Sequence, residues 1–171
     1  MRLRSATDGK RTGFDYTGTH RYIITLTTHR SRQIFVQNDV VVTILDVLRE
    51  TARSGQFDVY AYCFVPDRLT VIIHGRTATS NMKAFLATFR QKSSAAVETD
   101  LGHPLWKRTF LERVLRRGEE SRNVARELFR MPVTQGLSAS PTAYPYLGSF
   151  TEEVHSLLRP LARKRGRRPR R

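Results

Sequence analysis

Two short apolar runs, residues 57–64 (Phe-Asp-Val-Tyr-Ala-Tyr-Cys-Phe) and 69–74 (Leu-Thr-Val-Ile-Ile-His), stand on either side of Pro66-Asp67. Both are rich in aromatic and β-branched residues, which fit a pleated surface, and both have strand length. Proline fixes one backbone angle and aspartate closes turns through its carboxylate, so the runs are expected to fold back on each other as an antiparallel hairpin. The chain must therefore be built around a sheet.

The flanking sequence supplies the remaining elements. Residues 22–28 read as a first strand. Asn38 or Asp39 can cap a helix in which Val41, Ile44, Leu45 and Leu48 recur at helical spacing, and Ser54-Gly55 ends it. Ser80 is the expected cap of a second helix, with Met82, Phe85, Leu86 and Phe89 on one stripe and Lys83, Arg90 and Lys92 off it. A loop through Leu101-Gly102-His103-Pro104 leads to Trp106, then a strand over 112–115 and a helix over 119–130 with Val124 and Leu128 inward. A short helix over 152–158 precedes an arm that Pro160, Gly166 and Pro169 keep irregular. The division is a basic N-terminal segment over 1–19, a domain over 20–150, and a helix with an arginine-rich tail over 151–171.

Charge narrows the partner. The 171 residues carry 30 Lys and Arg against 15 Asp and Glu, a formal net charge of +15, which favours polyanions. The last nine residues hold seven of the basic groups: Arg163, Lys164, Arg165, Arg167, Arg168, Arg170 and Arg171. Guanidinium groups are permanently charged and grip phosphate through two hydrogen bonds, so this arm suits phosphate contacts. A single cysteine, Cys63, excludes an internal disulfide and a cysteine zinc cluster, and its apolar strand suggests a buried free thiol. Neither end carries the apolar run of a secretory signal or membrane span, and a cytoplasmic, nucleoid-associated location without membrane contact is expected. Histidines at 20, 29, 74, 103 and 155 are scattered, and no repeat, Walker loop or dinucleotide fingerprint is present.

Several segments together resemble one family. Cys63-Phe64-Val65-Pro66-Asp67 before an apolar strand, Gly13-Phe14-Asp15-Tyr16-Thr17-Gly18 before the first strand, the block around Trp106 and Phe110, Pro132-Val133-Thr134-Gln135-Gly136-Leu137, and Pro141-Thr142-Ala143-Tyr144-Pro145-Tyr146 are similar to the REP-associated tyrosine transposases, which are single-tyrosine HUH transposases of bacteria. The resemblance covers roughly residues 13 to 150. It implies an α+β fold, a ferredoxin-like HUH-type domain with an antiparallel four-stranded sheet and helices packed on one face.

Within that frame the residues of the reaction differ. Where the family writes Pro-Asn/Asp-His-hydrophobic-His, this chain has Pro66-Asp67-Arg68-Leu69-Thr70. Two imidazoles at i and i+2 on a strand share a face and can hold one divalent metal, which arginine and threonine cannot do. The family's Tyr-x-x-x-Asn turn ends just before the proline matched by Pro132, which places Glu127 and Met131 at the nucleophile and amide positions. Glu127 would repel a scissile phosphate, and the Met131 thioether is a poor ligand for a hard cation. The resemblance thus implies a retained scaffold without catalytic residues, metal or cofactor.

Candidate nucleic-acid contacts in the body are Arg68, Arg76, Arg90, Lys92, Lys107, Arg108 and Arg113, because the matching segments flank the family's DNA-facing cleft. Arg68 could neutralise a phosphate directly or pair with Glu127. A rebuilt metal site would use His74, on the same strand face as Arg68 and Thr70, with Asp67 or Glu127; the competing reading is a strand-end histidine near solvent. Trp106 is read as core rather than a base-stacking platform, and Tyr144 and Tyr146 as structural. The expected function is a catalytically inactive, transposase-derived nucleic-acid-binding protein that recognises hairpin or single-stranded DNA, or RNA, in a regulatory or assembly role. Alternatives are an interaction module with a protein partner or a second copy, and a nuclease with relocated catalytic groups.

Overall fold

A computed structural model describes residues 13–160. The arginine-rich tail from Arg163 to Arg171 and most of the basic N-terminal segment lie outside the described residues. The hairpin is present: β2 (Phe57–Val65) and β3 (Arg68–Gly75) pair antiparallel about the Pro66-Asp67 turn. On its other side β3 pairs with β1 (Arg21–Thr28), which pairs with β4 (Trp106–Val114). A fifth strand, β5 (Leu147–Gly148), adds to the outer edge of β2 at Tyr62 and Cys63. The sheet therefore has five strands in the order β4-β1-β3-β2-β5 rather than four. At two residues β5 is too short to show an alternating pattern in sequence.

Alternation in the central strands sends side chains to two separate cores. Tyr22, Ile24 and Leu26 of β1 and Leu69, Val71 and Ile73 of β3 face one side. There they meet α1 (Asn38–Ser54) through Val41, Ile44 and Leu48, and α2 (Met82–Leu101) through Phe85, Leu86 and Phe89. Ile23, Ile72, Ala61, Cys63 and Val65 face the opposite side and meet Val124, Ala125, Leu128 and Phe129 of α3 (Ser121–Thr134). Helices consequently cover both faces, which corrects the one-faced expectation. Periodicity reveals that a helix has an apolar stripe, not which side of a sheet receives it. A bulge where Val59 and Ala61 oppose successive residues of β3 lets both Tyr60 and Ala61 face α3. Val154–Leu158 forms a short α4 whose Leu157 is fully buried with the α3 cluster.

Local details also depart from expectation. The α2 cap is Asn81, whose side chain accepts from the Ala84 amide at 3.0 Å, while Ser80 is buried and its hydroxyl donates to the Gln56 carbonyl at 2.7 Å. Gln37, without a side-chain cap bond, precedes α1. Helix α3 continues through Pro132, which costs little so near the end of the helix because only one backbone bond is forfeited. Strand β4 begins at Trp106, well before residue 112. No helix among the described residues is long and apolar enough to cross a membrane.

Candidate nucleic-acid interface

The sequence-derived site falls on the α3 side of the sheet. Arg68, Thr70, Ile72 and His74 alternate along β3 toward that side, with Thr27, Thr25, Ile23 and Arg21 beside them on β1. Helix α3 packs chiefly on β2, so it shields the β2–β3 part of this face. Leu128 and Phe129, 3% and 0% exposed, anchor it; burying a side chain of this size contributes about 1.5–3 kcal/mol. That anchoring places Met131 against the same cluster and leaves Glu127 exposed on the helix flank.

At the centre of this face Thr25 and Thr70 are 5% and 2% exposed, and their hydroxyls hydrogen-bond each other at 2.9 Å. Each satisfies the other's buried polar group. Cys63 lies opposite Thr70 in the β2–β3 register, fully buried, and desolvation pushes its thiol up to about 12, far from reactive thiolate character. The middle of β3 is thus a closed, neutral packing surface.

Arg68 stands at the open end of the same face. Its Nε and Nη2 donate to the two carboxylate oxygens of Asp67 at 2.9 and 3.1 Å. This two-point pair, and not one with Glu127, occupies the guanidinium and raises its pKa further. The side chain remains 40% exposed against 21% for Asp67. A phosphate reaching Arg68 would therefore meet a cation whose charge is already shared.

The remaining candidates do not gather into one patch. Arg90 donates from Nη2 to the Lys107 carbonyl at 2.6 Å beneath the Phe110 ring, and burial lowers its pKa, so it braces α2 against β4. Lys92 pairs with Glu50 at 2.7 Å across α2 and α1. Arg113 pairs with Glu119 at 2.7 Å, which holds that carboxyl below its usual range. Arg76 is exposed just beyond β3, at the end opposite Arg68. Lys107 donates to the Ser31 hydroxyl at 2.8 Å, and Arg108 beside it is exposed. Trp106 is core, 5% exposed, with its Nε1 donating to Ser93 at 2.8 Å. Tyr144 and Tyr146 meet edge to face at 5.8 Å, and burial pushes the Tyr144 phenol up to about 12.

His74 stands one residue before the end of β3, partly open to solvent and at the opposite end of the strand from Asp67. It is half-buried, stacked on Tyr60 at 4.7 Å, with an Nε2 atom that lacks a partner among the described residues. Burial, reinforced by Arg21, pulls its pKa down to about 4. Asp67 lies seven residues away along the chain at the far end of β3, roughly 20 Å at strand rise. Among the described residues no three His, Cys, Asp or Glu side chains converge as a metal site would require.

Arg30 and Arg32, which follow β1 directly, join the candidates on structural grounds. Both are exposed and neither has an acidic partner among the described residues. The signal available was the basic cluster His29-Arg30-Ser31-Arg32 placed at once after an apolar strand.

No protein-family model matches the chain, and no curated protein matches it. Among solved structures it is similar to a REP-associated tyrosine transposase bound to a REP hairpin, at TM-score 0.66 and 13% identity, covering 81% of each chain. A candidate transposase from Deinococcus radiodurans R1 matches more loosely, at TM-score 0.49 and 17% identity over 74% of this chain and 97% of that one. The five-stranded antiparallel sheet flanked by helices on both faces is thus similar in fold to that REP-associated tyrosine transposase.

Proposed function

We propose that this chain binds nucleic acid without cleaving it, as a transposase-derived recognition protein in a regulatory or assembly role. The observation that carries this reading is the chemistry of the α3-side face. Arg68 and Thr70 stand on β3 where the family resemblance places a metal-binding histidine pair, and Glu127 and Met131 stand on the facing helix where it places the nucleophile and amide. An arginine, a hydroxyl locked to another hydroxyl, an exposed carboxylate and a thioether offer no oxygen-rich metal shell and no nucleophile for a phosphodiester. The positive net charge and the hairpin complex of the structural neighbour support a nucleic-acid partner, with DNA preferred to RNA.

Arg68 then serves as a latent phosphate contact restrained by Asp67. Arg68→Ala should lower affinity for hairpin DNA and flatten its salt dependence, and Asp67→Asn should raise affinity by releasing the guanidinium. Opposite or absent effects in both variants would remove this face from the interface.

A further inference from the structure

The turn after β1 is built against backbone preference. Arg30 and Ser31 are consecutive residues in the left-handed region, with φ of 55° and 54°. A side chain there costs roughly 1–2 kcal/mol, and the residues that tolerate it best are glycine and asparagine, neither of which is used. Such a turn persists only where its surroundings over-determine it.

Three segments do so here. The Thr28 hydroxyl donates to the Arg32 carbonyl at 2.7 Å and its amide to the Asp67 carbonyl at 2.9 Å. The His29 amide donates to the Leu105 carbonyl at 2.8 Å, and Lys107 Nζ to the Ser31 hydroxyl at 2.8 Å. The Phe35 amide, just after the turn, donates to the Pro66 carbonyl at 3.0 Å. These bonds draw the end of β1, the β2–β3 turn and the start of β4 together at one end of the sheet. Arg30, Arg32, Lys107 and Arg68 are gathered there, and Asp67 pairs only the last of them. Holding uncompensated cations on a costly backbone gains no stability for the fold, whereas a fixed backbone beneath them leaves less to be ordered on meeting an anion.

We propose that this turn is a preformed phosphate-binding rim, in which Arg30 and Arg32 contact successive backbone phosphates of a nucleic-acid strand and Lys107 adds a third positive charge. The inference rests on the reading that the chain binds nucleic acid and names the surface that does so. The ligand is the phosphodiester backbone, which DNA and RNA share.

The test uses the full chain, tail included, and two double variants that each remove two positive charges. One is Arg30→Asn with Arg32→Gln, where asparagine tolerates the left-handed backbone. The other, Arg116→Gln with Arg117→Gln, takes exposed arginines from the opposite end of the sheet as a control. Binding to a DNA hairpin, a DNA single strand and an RNA strand is followed across a salt series, with thermal melting to verify folding. The turn variant should lose about tenfold in affinity, and its log–log salt slope should fall by about 1.4 on single strands and about 1.8 on the double-stranded stem of the hairpin, the value for two lost phosphate contacts. The control should change the slope by less than half as much. Loss on all three probes identifies the shared backbone, and loss on one identifies that strand as the ligand. Equal effects of the two variants would overturn the rim while leaving nucleic-acid binding intact. Failure of the unaltered protein to bind any probe would overturn the functional reading and the rim with it.

Discussion

His74 gives the structure a pH-dependent stability that can be measured without knowing any ligand. Its imidazole lies between Arg21 on β1 and Asp58 on β2 and stacks on Tyr60, and burial outweighs the carboxylate, so its pKa falls from 6.5 to about 4. A base whose pKa is lowered by folding binds a proton more readily when unfolded. Its contribution is complete above pH 6.5 and is lost as pH falls toward 4, so stability should rise with pH across that window. Linkage between these two values gives a loss of about 2 kcal/mol between pH 7 and pH 4.5. Urea unfolding at half-unit pH intervals, followed by far-UV circular dichroism, measures the loss. In His74→Phe, which keeps a ring against Tyr60, the pH 4.5–6.5 slope should flatten by that amount while stability at pH 7 changes less. An unchanged slope in the variant would refute the claim that this histidine is held neutral by burial.

Two further predictions concern packing. Thr70→Val alone should cost about 1–3 kcal/mol by stranding the buried Thr25 hydroxyl, whereas Thr25→Val with Thr70→Val together should be close to neutral, a coupling that a double-mutant cycle of denaturation midpoints reads directly. Gly75→Ala should unfold the protein or abolish soluble expression, because an added Cβ would sit 2.1 Å from the Gly18 carbonyl oxygen, backbone against backbone. Normal melting of that variant would refute the close approach of the N-terminal segment to β3.

The elements legible in the sequence were those with strong local chemistry. The hairpin declared itself through Pro66-Asp67 between two apolar runs, and the α2 stripe and the Trp106 core through helical spacing and bulk. The start of β4 was hidden because Lys107, Arg108 and Thr109 are at most half-buried on an edge strand, so no alternation marks them. The side taken by α3 was invisible because an amphipathic helix is silent about topology. Of the two expectations for Arg68, the pair with Glu127 gives way for a related reason: the adjacent Asp67 meets the guanidinium at two points, a local contact that strand alternation does not announce. The turn at Arg30 is not legible in the sequence because its residues are the wrong ones for a left-handed backbone, and only the fold reveals why the chain accepts that cost.

The central claim is recognition without cleavage. The measurement that tests it most directly incubates the full chain with an end-labelled DNA hairpin, a single strand, a duplex and an RNA across a salt series containing magnesium or manganese, so that binding and nicking are read from the same samples. The account predicts a retained, uncut hairpin complex that survives moderate salt, with no covalent protein–DNA adduct. Metal-dependent cutting, or a covalent adduct on a tyrosine, would contradict it.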